Sequence, residues 1–132
     1  MPAVVFGVTA AGARRFALRV LQLIFGDFVL DALARTLRHR GSAVALRPKE
    51  FGLLLLLVSS QGAAVSKDSI VEAVWKHADV SDAAITQNVY RLRKILAARD
   101  PHTGHIAAVP GVGYRFVPPV ATRSVPGHNR HS

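Results

Sequence analysis

Apolar residues repeat with different periods in different segments of this chain, and the period assigns the element. Residues 16–25 are largely apolar but broken by Arg19 and Gln22, a run far shorter than the roughly 20 residues that cross a bilayer. From Ile24 the pattern alternates, with Phe25, Asp27 and Val29 on one side and Gly26, Phe28 and Leu30 on the other. That alternation predicts a half-buried strand closing near Asp31. Residues 36–39 and 43–46 read as two more short strands, with Arg40-Gly41-Ser42 as the turn between them, so a small antiparallel sheet is expected at the N-terminal side.

Helical signals follow. Pro48 suits a first helical turn, where its missing N–H costs nothing, and Glu50 puts an acid at the positive end of the dipole. The helix is expected to run from 48 to about 60 and stop at Gly62; residues 53–58 are apolar nearly all round, which makes it central to the core. Ser66 as N-cap and Asp68 in the first turn announce a second helix, with Ile70, Val71, Val74 and Trp75 on its stripe. A third helix over 82–96 follows the loop 76–81. Its Ile85, Val89, Leu92 and Leu96 fall on one stripe. Opposite them lie Ala83, Gln87, Tyr90, Arg91 and Lys94, with Thr86 and Arg93 on the flank. One face packs, and the other is built of hydrogen-bond donors. Beyond a turn-rich stretch, residues 106–109 and 114–117 make a hairpin around Pro110-Gly111-Val112-Gly113, and Pro118-Pro119 ends it.

Charge then narrows the partner. Among 132 residues, 17 Lys and Arg face 8 Asp and Glu, a formal charge of +9, which favours a polyanion. The absence of cysteine excludes disulfides and thiolate zinc sites. Arg14 and Arg15 follow the first apolar stretch instead of preceding an uninterrupted one, unlike a secretory signal, so a cytoplasmic protein without membrane contact is expected. The expected organisation is a loose extension over 1–23, one domain over 24–119 and a disordered basic tail over 120–132.

A major groove admits one helix whose far face is held by a core. In that setting Arg91 can pair bidentately with a guanine edge and Gln87 with adenine, while Thr86 touches a base or a thymine methyl. Arg93 and Lys94 are better placed for phosphates, and Tyr90 suits either role. A solvated helix face is the competing reading of the same residues.

The order of segments adds to this. Leu46-Arg47-Pro48-Lys49-Glu50-Phe51 with Leu54 and Leu57, then TQNVYRLRKIL over 86–96, then VPGVGYRF over 109–116 resemble the OmpR/PhoB-type winged helix. That family is the output domain of bacterial response regulators in two-component, phosphorelay signalling. Phe25-Gly26-Asp27-Phe28 with Leu30-Asp31 is similar to its opening strand, and the resemblance covers roughly 25–119. It implies an α+β fold: a four-stranded N-terminal sheet, three helices and a C-terminal hairpin wing over 105–117, with the third helix in the major groove of double-stranded DNA. It also implies that Thr86, Gln87, Tyr90 and Arg91 face bases or nearby phosphates and that Arg93 and Tyr114 hold the backbone, although Tyr114 reads equally as a core plug beneath the wing. Lys67 and Arg115 complete the candidate DNA-binding set. The loop 76–81 corresponds to a segment that can touch RNA polymerase, and two copies on repeated half-sites are expected. Ala83, Ala108 and Pro110 stand where relatives often carry a polar or basic ligand, so the helix is expected to carry most of the specificity. Relatives commonly carry a receiver domain or a membrane segment. The extension before Phe25 is too short for a receiver, so a stand-alone regulator, a remnant or a fragment is expected.

An enzyme is the weaker reading, and no cofactor is expected. Gly111-Val112-Gly113 has Phe116 where a dinucleotide loop needs its third glycine. His102 and His105 with His128 or His131 lack a convincing ligand spacing, and read as solvent-exposed loop histidines. No Ser-His-Asp arrangement has a local signature. A basic protein-interaction or RNA-binding module is the remaining alternative, disfavoured because single-strand RNA readers display aromatics on an open sheet.

Overall fold

The computed structural model describes residues 19–76 and 79–126. Expectations placed on 1–18, on 77–78 within the loop and on 127–132, including His128 and His131, lie outside the described residues. The chain runs through β1 (Arg19–Phe25), β2 (Phe28–Asp31), β3 (Thr36–His39) and β4 (Ser42–Val44), then helix α1 (Pro48–Ser59) and the short strand β5 (Val65–Ser66). Helix α2 (Lys67–Ile70) continues as a π-turn (Val71–Trp75), and helix α3 (Asp82–Arg99) precedes β6 (Ile106–Val109), β7 (Gly113–Phe116) and β8 (Ala121–Pro126).

Two sheets frame the helices: one antiparallel in the order β4-β3-β2-β1-β8, the other β5-β7-β6. The single strand expected from Ile24 to Asp31 is instead a hairpin. Phe25 pairs with Phe28 across Gly26 and Asp27, and Gly26 takes the left-handed conformation (φ 58°) that this tight turn demands. Both rings therefore point inward, stacked with centroids 5.0 Å apart, where simple alternation puts them on opposite faces.

The sheet also has five strands rather than four. β1 begins at Arg19, inside the expected loose extension, and residues 121–126 of the expected disordered tail pair with its outer edge from Ile24↔Ala121 to Arg19↔Pro126. Backbone pairing explains this addition, because residues 121–124 are all exposed. Arg123 donates from Nε to Gln22 Oε1 at 2.8 Å.

The helices obey their local signals. Glu50 Oε1 accepts from the Arg47 N–H at 2.8 Å, closing the start of α1, and Gly62 at φ 92° turns the chain after its end. Ser66 Oγ accepts from the Ser69 N–H at 3.0 Å at the start of α2. The second helix departs from a regular one by widening into the π-turn, closed by Lys76 at φ 53°. This brings Val74 against the side of α1 where Gly52 has no Cβ. Leu53, Leu54 and Leu57 of α1, Ile70 of α2, and Leu92 and Leu96 of α3 are all completely buried, forming one apolar centre under both sheets.

His105 corrects the reading of the loop histidines. It is buried, edge-on to Phe28 at 5.7 Å and Phe25 at 6.2 Å, with Nε2 3.5 Å from Asp100 Oδ2. Burial among these rings lowers its pKa below the usual 6.5, with Asp100 partly opposing the shift. The unfolded chain then binds the proton more tightly than the folded one. Stability is therefore complete above pH 6.5 and falls as the pH drops through that value toward the lowered folded pKa. The denaturant midpoint is expected to decrease between about pH 7.5 and 5.5, with a shallower decrease in His105→Leu. Equal pH dependence in the two proteins would show that His105 does not carry the effect.

Candidate nucleic-acid interface

Helix α3 is held from three directions, and that restraint defines which of its faces is free. Ile85, Val89, Leu92 and Leu96 are each no more than 1% exposed, as their spacing requires. On one flank the buried Asn88 donates from Nδ2 to Lys49 O at 3.2 Å, tying α3 to the first turn of α1. On the other flank Arg93 donates from Nε to Ile106 O at 3.1 Å, tying α3 to the wing strand β6. At the N-terminal end Ser81 Oγ accepts from the Ala84 N–H at 3.2 Å. Rotation of the helix would break bonds on both sides, so side chains on the outward arc project from a fixed platform.

That outward arc carries Ala83, Thr86, Gln87, Tyr90, Arg91, Arg93 and Lys94, all exposed. Tyr90 is a large exposed aromatic, 53% accessible, with Lys94 Nζ 5.5 Å from its ring centroid. Arg91 has no ion-pair partner among the described residues. The guanidinium of Arg93 spends Nε on the wing and has its terminal nitrogens left for an outside acceptor.

The wing is positioned by backbone contacts. β5 pairs with β7 through Val65↔Tyr114 and Ser66↔Gly113, and the Lys67 N–H donates to Val112 O in the wing turn at 3.2 Å. Lys67 consequently stands where α2, the wing turn and the start of α3 meet. Its Nζ lies 3.5 Å from Asp82 Oδ2 in an exposed pair, a contact weak enough to exchange for another anion. Arg115 is exposed on β7, whereas Tyr114 is buried, only 8% accessible, and belongs to the core. The helix thus presents a donor-rich face and the wing a sparser one.

Sequence periodicity does not single out Asn88 or the structural bond of Arg93. Asn88 sits one position before the stripe residue Val89, and a polar residue on a buried flank is the signal that finds it. Among the described residues no three His, Cys, Asp or Glu side chains gather as a metal site. No helix among them is long and apolar enough to cross a membrane.

Residues 41–116 match the family model described as transcriptional regulatory protein, C terminal. The transcriptional regulator HilA of Salmonella typhimurium is 35% identical over 105 residues, covering 80% of this chain and 19% of HilA. This chain therefore spans about a fifth of that relative's length. Among solved structures, the DNA-binding domain of Escherichia coli CadC superposes with a TM-score of 0.68 at 28% identity, covering 76% of this chain and 94% of that one. The Klebsiella pneumoniae RstA DNA-binding domain, in complex with the RstA box, gives 0.62 at 25% identity over 72% of this chain and 95% of that one.

Proposed function

Because the chain belongs to the transcriptional regulatory protein, C-terminal family of winged helices, we propose that it binds duplex DNA sequence-specifically and regulates transcription, with α3 in the major groove. The observation that carries this reading is the exposed donor face of α3, locked by Asn88 on one flank and Arg93 on the other. Gln87 and Arg91 read adenine and guanine edges, and Thr86 lies beside them for a base or methyl contact. Tyr90, Arg93, Lys94, Lys67 and Arg115 meet phosphates, and Tyr114 supports the wing from beneath. The complex of RstA's similar domain with the RstA box supports DNA as the partner. The binding unit is the domain over 24–119 extended by the described parts of β1 and β8. The protein works in the cytoplasm as two copies on repeated half-sites, and the loop 76–81 is offered to RNA polymerase.

Selection of bound sequences from a random duplex pool tests the core of this reading: an enriched motif is expected, and failure to enrich any motif at moderate salt would sink it. Within such a motif, Arg91→Ala should lower discrimination by about 1–3 kcal/mol at the affected base pair. Lys94→Ala should weaken all sequences alike. Binding curves for matched and mismatched duplexes separate the two, and wild-type behaviour in both variants would show that the reading face is elsewhere.

A further inference from the structure

We infer that Arg47 and Lys49 form a second phosphate-gripping shoulder, holding the DNA strand on the flank of α3 opposite the wing. The inference rests on the major-groove reading proposed above and adds to it a contact surface outside α3 and the hairpin.

The two flanking bonds of α3 establish the geometry. Arg93 faces β6, whereas Asn88 faces the carbonyl of Lys49, so the reading face lies between the wing and the start of α1. A B-form major groove, about 12 Å wide, is bounded by a phosphate backbone on each side. A helix seated in it meets one backbone on the wing side and the other on the α1 side. Two open hollows line that second side. One, of about 580 Å³, is bordered by Arg47, Lys49, Trp75, Gln87 and Arg91; the other, of about 460 Å³, by Arg47, Arg91 and Lys94.

The charge balance there is one-sided. Glu50 is the one carboxylate lining either hollow, and it is buried, with Oε1 accepting the Arg47 backbone N–H. Two cations elsewhere on the described surface do have carboxylate partners, Arg40 with Asp27 at 3.0 Å and Lys67 with Asp82 at 3.5 Å. Arg47, Lys49, Arg91 and Lys94 have no ion pair among the described residues. Arg47 and Lys49 are both exposed, and Lys49 Nζ is drawn over the Trp75 ring at 5.9 Å, which keeps the ammonium at the rim of the hollow. Four cations against one buried carboxylate along one concave edge fit a linear polyanion, and the adjacent reading face makes that polyanion the DNA backbone.

The test uses the full chain and its Arg47→Gln/Lys49→Gln double variant, with fluorescence anisotropy on a duplex enriched from the random pool, titrated across salt. Two lost phosphate contacts should reduce the magnitude of the log affinity against log salt slope by roughly 1.8 while leaving the ranking of sequences unchanged. Phosphate-ethylation interference should lose its signals on the backbone flank away from the wing and keep those beside it. A double variant with the wild-type slope and footprint overturns this shoulder alone. A wild-type chain that binds no duplex at any salt overturns the DNA reading and the shoulder with it.

Discussion

Phe116→Ala should lower the free energy of unfolding by about 3–5 kcal/mol, the largest loss expected from truncating a single side chain in this domain. Phe116 is completely buried at the end of β7, and its ring meets Phe25 edge-on at 4.8 Å. Phe25 in turn stacks on Phe28, and His105 completes the group 6.2 Å from Phe116. The ring is therefore the joint between the wing sheet and the N-terminal sheet, and its removal opens a cavity bordered by side chains from both. Phe25 and Phe28 sit on paired strands and cannot collapse into the gap without disturbing their register. Denaturant unfolding measures the loss directly, and thermal melting should follow it at roughly 4–8 °C per kcal/mol for a domain of this size. The next residue, Val117, is 42% exposed, and Val117→Ala should change stability by no more than about 0.5 kcal/mol. A similar small change in Phe116→Ala would mean that the two sheets are not joined through this ring.

Gly113→Ala should be comparably damaging for a different reason. A Cβ at Gly113 would overlap Val65 O and stand 3.1 Å from both Val65 C and Ser66 Cα. All three are backbone atoms, so no rotamer change relieves the clash, and β5 must move off β7. That movement carries with it Ser66, which caps α2, and the Lys67 N–H bond to the wing turn. The expected cost is about 3 kcal/mol, at the upper end of overpacking effects. DNA affinity should also fall at temperatures where the domain stays folded, since the wing turn and Lys67 lose their common anchor. Gly111→Ala is the matched comparison. Gly111 has a positive φ of 77° but open space around its Cβ position, so the change should cost only about 1–2 kcal/mol of backbone strain. Equal destabilisation in the two variants would show that backbone conformation, rather than the β5–β7 approach, sets the need for glycine at 113.

These two positions also show where sequence reasoning reaches its limit. The three helices were legible because each carries its own period and start signal: Pro48 with Glu50, Ser66 with Asp68, and the stripe Ile85, Val89, Leu92 and Leu96. The exposed set from Thr86 to Lys94 followed from the same geometry, since the residues opposite a buried stripe must face outward. The hairpin at Phe25 was obscured because alternation continues by eye through a two-residue turn, and only the odd spacing of the two phenylalanines around Gly-Asp betrays it. β8 has no apolar signature to find, as residues 121–124 are exposed and the strand contributes chiefly its backbone. His105 was misjudged because its burial depends on Phe25, Phe28 and Phe116, which converge from distant segments. The same holds for the site. A wheel projection shows that Arg93 is exposed but not that its Nε is committed to Ile106, and nothing local to Arg47 or Lys49 places them beside Gln87 and Arg91.

The pairing of β8 with β1 has a mechanical consequence. Arg19 lies opposite Pro126, so the chain enters and leaves the described fold at one corner of the sheet. A force applied through both of these ends would load the β1–β8 ladder one pair at a time, as a zipper opens, instead of shearing all of its bonds together. The strand should peel away at low force while the phenylalanine joint and α3 remain unstrained. Tension from any attached polypeptide is thereby absorbed at an expendable edge, and the donor face of α3 keeps its alignment until that edge is spent.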